Sequence, residues 1–259
     1  IAVSLSLIAL VWFALAYERV IFAGLVAIAV ILGARELSKA FAHRDIYISF
    51  RGLALATIGL SYATWVGAVA GLAIATAIAF PILMISLLRR GPEKFVANAT
   101  ATTMALIYLP FMAGFLILLA RPSTGWHRVM TFVVLVGCND TFGYLVGVLI
   151  GKHPMVPKIS PKKSWEGLAG SIIFTTIIGY LTFDGILGLN PWIGAAVGLL
   201  IVFTATTGDL IESAIKRDFA IKDMGNLLPG HGGIMDRLDS IVLTAPALWL
   251  VLELVKYYS

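Results

Sequence analysis

The sequence predicts an all-α polytopic membrane protein of about nine transmembrane helices, N-terminus cytoplasmic and C-terminus outside. Two observations set the class: 59% of the 259 residues are hydrophobic against 13% charged, and the mean hydropathy is +0.95. A soluble domain has no use for so much apolar surface. A third sets the orientation: the loops at 35–51, 89–94, 151–165 and 214–237 hold fifteen of the nineteen Lys and Arg residues, and such loops stay in the cytoplasm.

Apolar runs long enough to cross about 30 Å of hydrocarbon at about 1.5 Å per residue fall near 1–17, 20–41, 52–67, 69–88, 95–120, 128–150, 166–188, 191–213 and 237–256. The third is short. The first, ending at Ala14-Leu15-Ala16, has the outline of a signal peptide but is expected to be a retained span. Residues 1–121 form an N-terminal set of scaffold helices, with room for dimer or lipid contacts. Residues 122–259 form a C-terminal catalytic set with cytoplasmic loops 151–165 and 214–237.

A formal charge of +5 and pI near 9.4 follow from membrane orientation, so nucleic acid is not an expected partner. Cys138 is the sole cysteine; it allows no intrachain disulfide and reads as apolar filler. In the N-terminal set, Arg35, Glu36, Lys39, Arg44 and Asp45 could meet a lipid phosphate, but a solvated helix end with snorkelling anchors is the expected reading. Tyr62, Trp65 and Trp126 suit interfacial belts.

The chemistry gathers late in the chain. Residues 213–239, SAIKRDFAIKDMGNLLPGHGGIMDRLD, interleave Lys216, Arg217, Lys222 and Arg237 with Asp218, Asp223, Asp236 and Asp239. Topology accounts for the cations but not for the carboxylates. Asp236 and Asp239 are three apart, hence on one face of a helix opening after Gly232-Gly233. Upstream, Asp209, Glu212, Ser213 and Lys216 fall at i, i+3, i+4 and i+7, a polar stripe on an apolar helix. Two acidic helix faces joined by a Gly/Pro loop can share Mg²⁺, which takes carboxylates, water and phosphates. The lysines and arginines can hold the phosphates.

A second constellation, GKHPMVPKISPKKSWEG at 151–167, carries three prolines and four lysines. Its segment before Trp165 is extended and cationic, able to lie along a polyphosphate, with Ser164 placed to cap the next helix. In the preceding span Asn139 and Asp140 lie mid-helix and should face inward. A structural polar knot and a substrate or metal role stand side by side for Asp140. Gly143 and Gly147 give that helix a small face for a neighbour. Thr204, Thr206, Thr207 and Asp209 should line a cavity.

The run Ser213-x-Ile215-Lys216-Arg217, four residues, Lys222-Asp223-x-Gly225, two residues, Leu228-Pro229-x-His231-Gly232-Gly233-Ile234-x-Asp236-Arg237-Leu238-Asp239 resembles the signature of the phosphatidate cytidylyltransferases along its whole length. Ser160-Pro161-Lys162-Lys163-Ser164-Trp165-Glu166-Gly167 resembles that family's second motif, with Ser164 where Thr is usual. The resemblance implies condensation of CTP with phosphatidic acid to CDP-diacylglycerol and pyrophosphate, with Mg²⁺, by a homodimer in a bacterial inner membrane, its site facing the cytoplasm.

On that footing Asp209, Asp236 and Asp239 are the expected ligands of one or two Mg²⁺ ions, and Asp223 and Lys216 further catalytic candidates. Lys216, Arg217, Lys222, His231, Gly232, Gly233 and Arg237 are expected on substrate phosphates, with Asn139, Asp140, Ser160, Lys162, Lys163 and Glu166 lining the substrate site. No Ser-His-Asp or Cys-His arrangement suggests a covalent intermediate. A CTP-dependent polyprenol kinase would share the polarity but attack the γ-phosphate. A cation-coupled transporter would want polar residues along a whole crossing, whereas here they gather at one membrane face.

Overall fold

The computed structural model describes residues 11–15, 17–225, 227 and 232–258. Among them are seven helices long and apolar enough to cross a membrane: α1 (Arg19–Ala42), α2 (Phe50–Leu88), α3 (Phe95–Ala120), α4 (Gly125–Ile150), α5 (Trp165–Leu187), α6 (Pro191–Asp218) and α7 (Met235–Tyr258). Between α4 and α5 lies an antiparallel hairpin of β1 (Pro154–Val156) and β2 (Ser160–Ser164). The chain is an all-α integral membrane protein. Most of the expected span at 1–17 lies outside the described residues.

As one straight rod, the 39 residues of α2 would run roughly 58 Å. They do not, because Ala68 (φ 52, ψ −137) breaks the helix at the boundary between the expected spans 52–67 and 69–88. A Cβ on Gly71 would come within 1.9 Å of the Ala63 carbonyl oxygen. A straight helix holds residues that far apart in sequence about 12 Å apart, so the chain turns back sharply here. Carbonyls freed at the break find a donor in Arg121, whose Nε and Nη2 donate to Trp65 O at 2.8 Å and Val66 O at 3.2 Å. In α3, Pro110 sits in a π-helical turn, Ile107–Phe111, whose wider ring accommodates a residue without an N–H.

The chain packs as two compact units, Ile1–Trp126 with Asp218–Leu238, and His127–Arg217 with Asp239–Ser259. In the first, Leu53, Leu60, Leu72, Leu83, Leu106, Leu109 and Ile117 are fully buried among α1, α2 and α3. The segment after α6 docks onto α1, with Phe219 edge-on to Phe41 at 4.8 Å and Arg44 donating to the Asp218 carbonyl.

The second unit is held by close helix contacts rather than by large side chains, as expected where lipid is as apolar as the protein. Gly143 and Gly147 of α4 meet α5: a Cβ on Gly143 would lie 2.6 Å from Ser171 Oγ, and one on Gly167 2.7 Å from Gly143 O. Ser171 Oγ donates to Asn139 O at 2.7 Å across the same seam. Gly194 and Gly198 of α6 press on the backbone of α5 at Gly179 and Thr175. Gly208 is pressed against α7, where a Cβ would stand 2.4 Å from Asp239 O. That contact sets Asp239 beside the polar stripe of α6.

Candidate active site

A cavity of about 660 Å³ opens among α4, β2, α5 and α6. Asn139 and Asp140 line it from α4, Ser160, Lys162 and Lys163 from β2, Ser171 from α5, and Thr206 and Asp209 from α6. Six residues expected at the substrate or metal site thus share one cavity. Asn139 is buried, and its Nδ2 donates to Asp140 Oδ1 at 2.9 Å. The amide holds the neighbouring carboxylate inside the membrane-spanning helix. Thr206 reaches the cavity, but Thr204 and Thr207 do not: their hydroxyls donate to Leu200 O and Phe203 O of their own helix, which satisfies them locally.

The cationic loop is more ordered than an extended segment. Pro154 pairs with Ser164 and Val156 with Ser160, and the hairpin is fastened at both ends. Ser164 Oγ accepts from Gly167 N at 3.1 Å, the N-cap of α5. Glu166 binds back onto the loop, accepting from Lys152 N at 3.2 Å and His153 N at 3.3 Å and meeting His153 Nδ1 at 2.6 Å. Arg217 Nε donates to Ile159 O at 3.2 Å. Glu166 and Arg217, both expected on substrate, therefore have structural partners in this hairpin. Lys162 and Lys163 are carried into the cavity by it.

Along α6 from Asp209, which lines the cavity, carboxylates and lysines alternate. Lys163 Nζ meets Asp209 Oδ2 at 2.6 Å, and Lys216 pairs with Glu212 one helical turn below. The Asp239 carboxyl faces both Asp209 and Glu212. Glu212 is only 1% exposed; the sequence reading places it on the polar stripe without giving it a role, although its spacing from Asp209 and Lys216 was the available signal. Among the described residues no three carboxylates or imidazoles form a ready-made metal cage. The donor set suits a hard cation that keeps water and takes phosphate oxygens for its remaining ligands, as Mg²⁺ does.

Most of the signature, Asp218–Leu238, belongs to the first unit. Asp236 Oδ2 accepts from Gly233 N at 2.7 Å and Met224 N at 3.2 Å, closing a loop ahead of α7. Gly232 has φ +81 and lies against Asp236, a conformation costly for any other residue. The Gly233 N–H, expected on a triphosphate, is thus held by Asp236. Lys222, Asp223 and Arg237 are exposed, and Asp223 borders a second cavity of about 390 Å³ together with Arg35, Glu36, Lys39 and His43. His231 and the adjoining 228–230 lie outside the described residues.

Glu36 corrects the expectation of a solvated helix end. Arg35 and Lys39 are exposed, but Glu36 is buried at 4% exposure and its Oε2 accepts from Met235 N at 2.9 Å. Hydropathy could not reveal this, because the partner N–H is 199 residues away.

The fold and site define an integral membrane protein whose helices enclose a cavity lined by lysines and carboxylates. The chain belongs to the cytidylyltransferase family, whose profile matches residues 1–255. It is 48% identical to the phosphatidate cytidylyltransferase of Mycobacterium bovis over 163 residues, 63% of this chain and 53% of that protein. Its likeness to the Mycobacterium leprae phosphatidate cytidylyltransferase is also 48%, over 62% of this chain and 52% of that protein. The Staphylococcus haemolyticus phosphatidate cytidylyltransferase is 36% identical over 68% of this chain and 67% of that protein. The chain spans about half the length of the mycobacterial relatives it matches.

Proposed function

We propose that this protein is a phosphatidate cytidylyltransferase, joining CTP to phosphatidic acid to give CDP-diacylglycerol and pyrophosphate in phospholipid biosynthesis. One observation supports the reading above the rest: Lys163 and Asp209 meet inside a cavity whose other walls carry Asn139, Asp140, Ser160 and Lys162. Ammonium groups and carboxylates set side by side are what two polyanionic substrates and a divalent cation need. The names of the relatives point the same way.

In this reading a phosphate oxygen of phosphatidate attacks the α-phosphorus of CTP, forming the new P–O bond as the bond to the β-phosphate bridging oxygen breaks. The lipid supplies the nucleophile, so the protein supplies position and charge. Lys162 and Lys163 bind phosphate oxygens from the hairpin, and Lys216 does so from α6. Lys222, Arg217 and Arg237 draw the anions in, and Gly232, Gly233 and His231 border the triphosphate. Asp209, Asp236 and Asp239, with Asp223 nearby in sequence, would hold one or two Mg²⁺ ions. A bound ion would offset charge on the α-phosphate and the departing pyrophosphate.

The charged loops face the cytoplasm of a bacterial inner membrane, the chain crosses it about nine times with the N-terminus inside, and the working form is a homodimer. The sharp turn at Ala68 supports this orientation, because it lets Arg51 and Arg89 end on the same face. The test is purified protein in detergent with phosphatidate, Mg²⁺ and CTP. Pyrophosphate release that requires phosphatidate is the expected result; release of CDP instead would make the protein a CTP-dependent lipid kinase.

A further inference from the structure

The buried carboxylate of Glu36 lies far in sequence from every element of the site, yet the signature segment is built around it. Oε2 accepts from Met235 N at 2.9 Å, one of the N–H groups that the first turn of α7 leaves without an intrahelical partner. A Cβ on Gly225 would fall 2.2 Å from Glu36 Oε1, and one on Gly233 2.4 Å from Oε2. Gly225 and Gly233 therefore sit directly on this carboxyl group, and a side chain at either would expel it. Among the described residues no hydrogen bond reaches Oε1. A carboxylate at 4% exposure is costly, and a chain carrying it for stability alone would do better with an apolar side chain.

We propose that Glu36 is a positioning residue for the reaction: it pins the loop of Met224, Gly225 and Gly233 and the first turn of α7, and so fixes where Asp236 stands. The loop has two anchors. Asp236 ties Gly233 N and Met224 N from within the segment, and Glu36 ties Met235 N from α1. Losing the outer anchor leaves the inner one free to drift, and an acid that must hold a cation against phosphates tolerates little drift. The proposal rests on the cytidylyltransferase reading for its activity arm only.

Three variants separate the possibilities. Glu36→Gln keeps the length and one oxygen acceptor for Met235 N. Glu36→Met keeps the length and removes the acceptor. Glu36→Asp keeps the charge but withdraws the carboxyl by one methylene, out of reach. Each is purified in detergent, checked for a single symmetric elution peak, and assayed for kcat, for the Mg²⁺ concentration giving half the maximal rate, and for tryptic cleavage after Lys222. The expected result is faster cleavage in Glu36→Met and Glu36→Asp, a loss of about 10–100-fold in kcat or a matching rise in the half-saturating Mg²⁺, and Glu36→Gln within about threefold of wild type.

If Glu36→Met does not fold, Glu36→Asp decides. Wild-type rates and cleavage in Glu36→Asp, or a Glu36→Gln protein as impaired as Glu36→Met, overturn the proposal. A wild-type protein with no cytidylyl transfer contradicts the function instead, and the cleavage rates still test the anchor.

Discussion

Lys163 Nζ stands 2.6 Å from Asp209 Oδ2, the one joining β2 of the hairpin to the polar stripe of α6. At an effective dielectric of about 20 such a pair attracts by roughly 6 kcal/mol before desolvation is counted. Both side chains are only about a quarter exposed, at 28% and 27%, so neither is idle surface charge. In the proposed function the pair would set a phosphate-binding cation against a metal-binding acid, and the first prediction follows from it. Lys163→Met should lower kcat by about 100-fold or more, in the range found when one preorganised donor to a developing charge is removed. Steady-state pyrophosphate release checks this; a loss under threefold would place the phosphates elsewhere.

Asp209→Asn and Asp236→Asn should each abolish turnover while the protein still inserts in the membrane and elutes as wild type does. The change keeps the shape of each side chain and one oxygen acceptor, and removes the charge that would hold Mg²⁺ and that pairs Asp209 with Lys163. Near-normal turnover in either variant removes that residue from the mechanism.

Gly208→Ala tests the contact that brings Asp239 to Asp209. Its Cβ would stand 2.4 Å from Asp239 O and 3.0 Å from Ser240 Cα, both backbone atoms that cannot swing aside. The start of α7 must move, at a cost of about 1–3 kcal/mol. A lower Tm in detergent together with reduced turnover is expected. An unchanged Tm would show that the two helices part more easily than their packing implies.

Glu166→Ala should act through the hairpin. It removes the acceptor of Lys152 N and His153 N and the partner of the His153 ring, so Lys162 and Lys163 lose their fixed approach to the cavity. KM for CTP should rise by about tenfold, with a smaller change in kcat. The reverse split would mean that Glu166 touches the reacting phosphates itself.

The orientation is open to labelling. In a Cys138→Ala background, a cysteine replacing Pro161 should react with a membrane-impermeant maleimide only from the cytoplasmic side, and one replacing Asn190 only from outside. Opposite sidedness would invert the bundle.

Much of this was legible in the sequence because it depends on local spacing. The break at Ala68 falls between two apolar runs, Gly143 and Gly147 sit one turn apart, and Ser164 precedes Trp165 as a cap does. Asp209, Lys163 and Asn139 could be nominated singly, since a charge or amide in an apolar helix has to face something polar. What spacing cannot carry is which distant groups meet. Glu36 looks like a helix-end charge until Met235 is seen to donate to it, and the 151–165 loop is extended by its prolines but becomes a hairpin only through Glu166 and Arg217. Thr204 and Thr207 show the converse. They look like cavity wall, yet a hydroxyl in a helix can satisfy itself on the preceding turn.

The central claim is that the lipid phosphate displaces pyrophosphate from CTP. It is tested most directly by supplying phosphatidate with CTP labelled at either the α- or the γ-phosphorus and counting each label in the organic phase. The account predicts α-label in the lipid and γ-label only in released pyrophosphate. Gamma-label in the lipid, or no phosphatidate-dependent transfer of either, would contradict it.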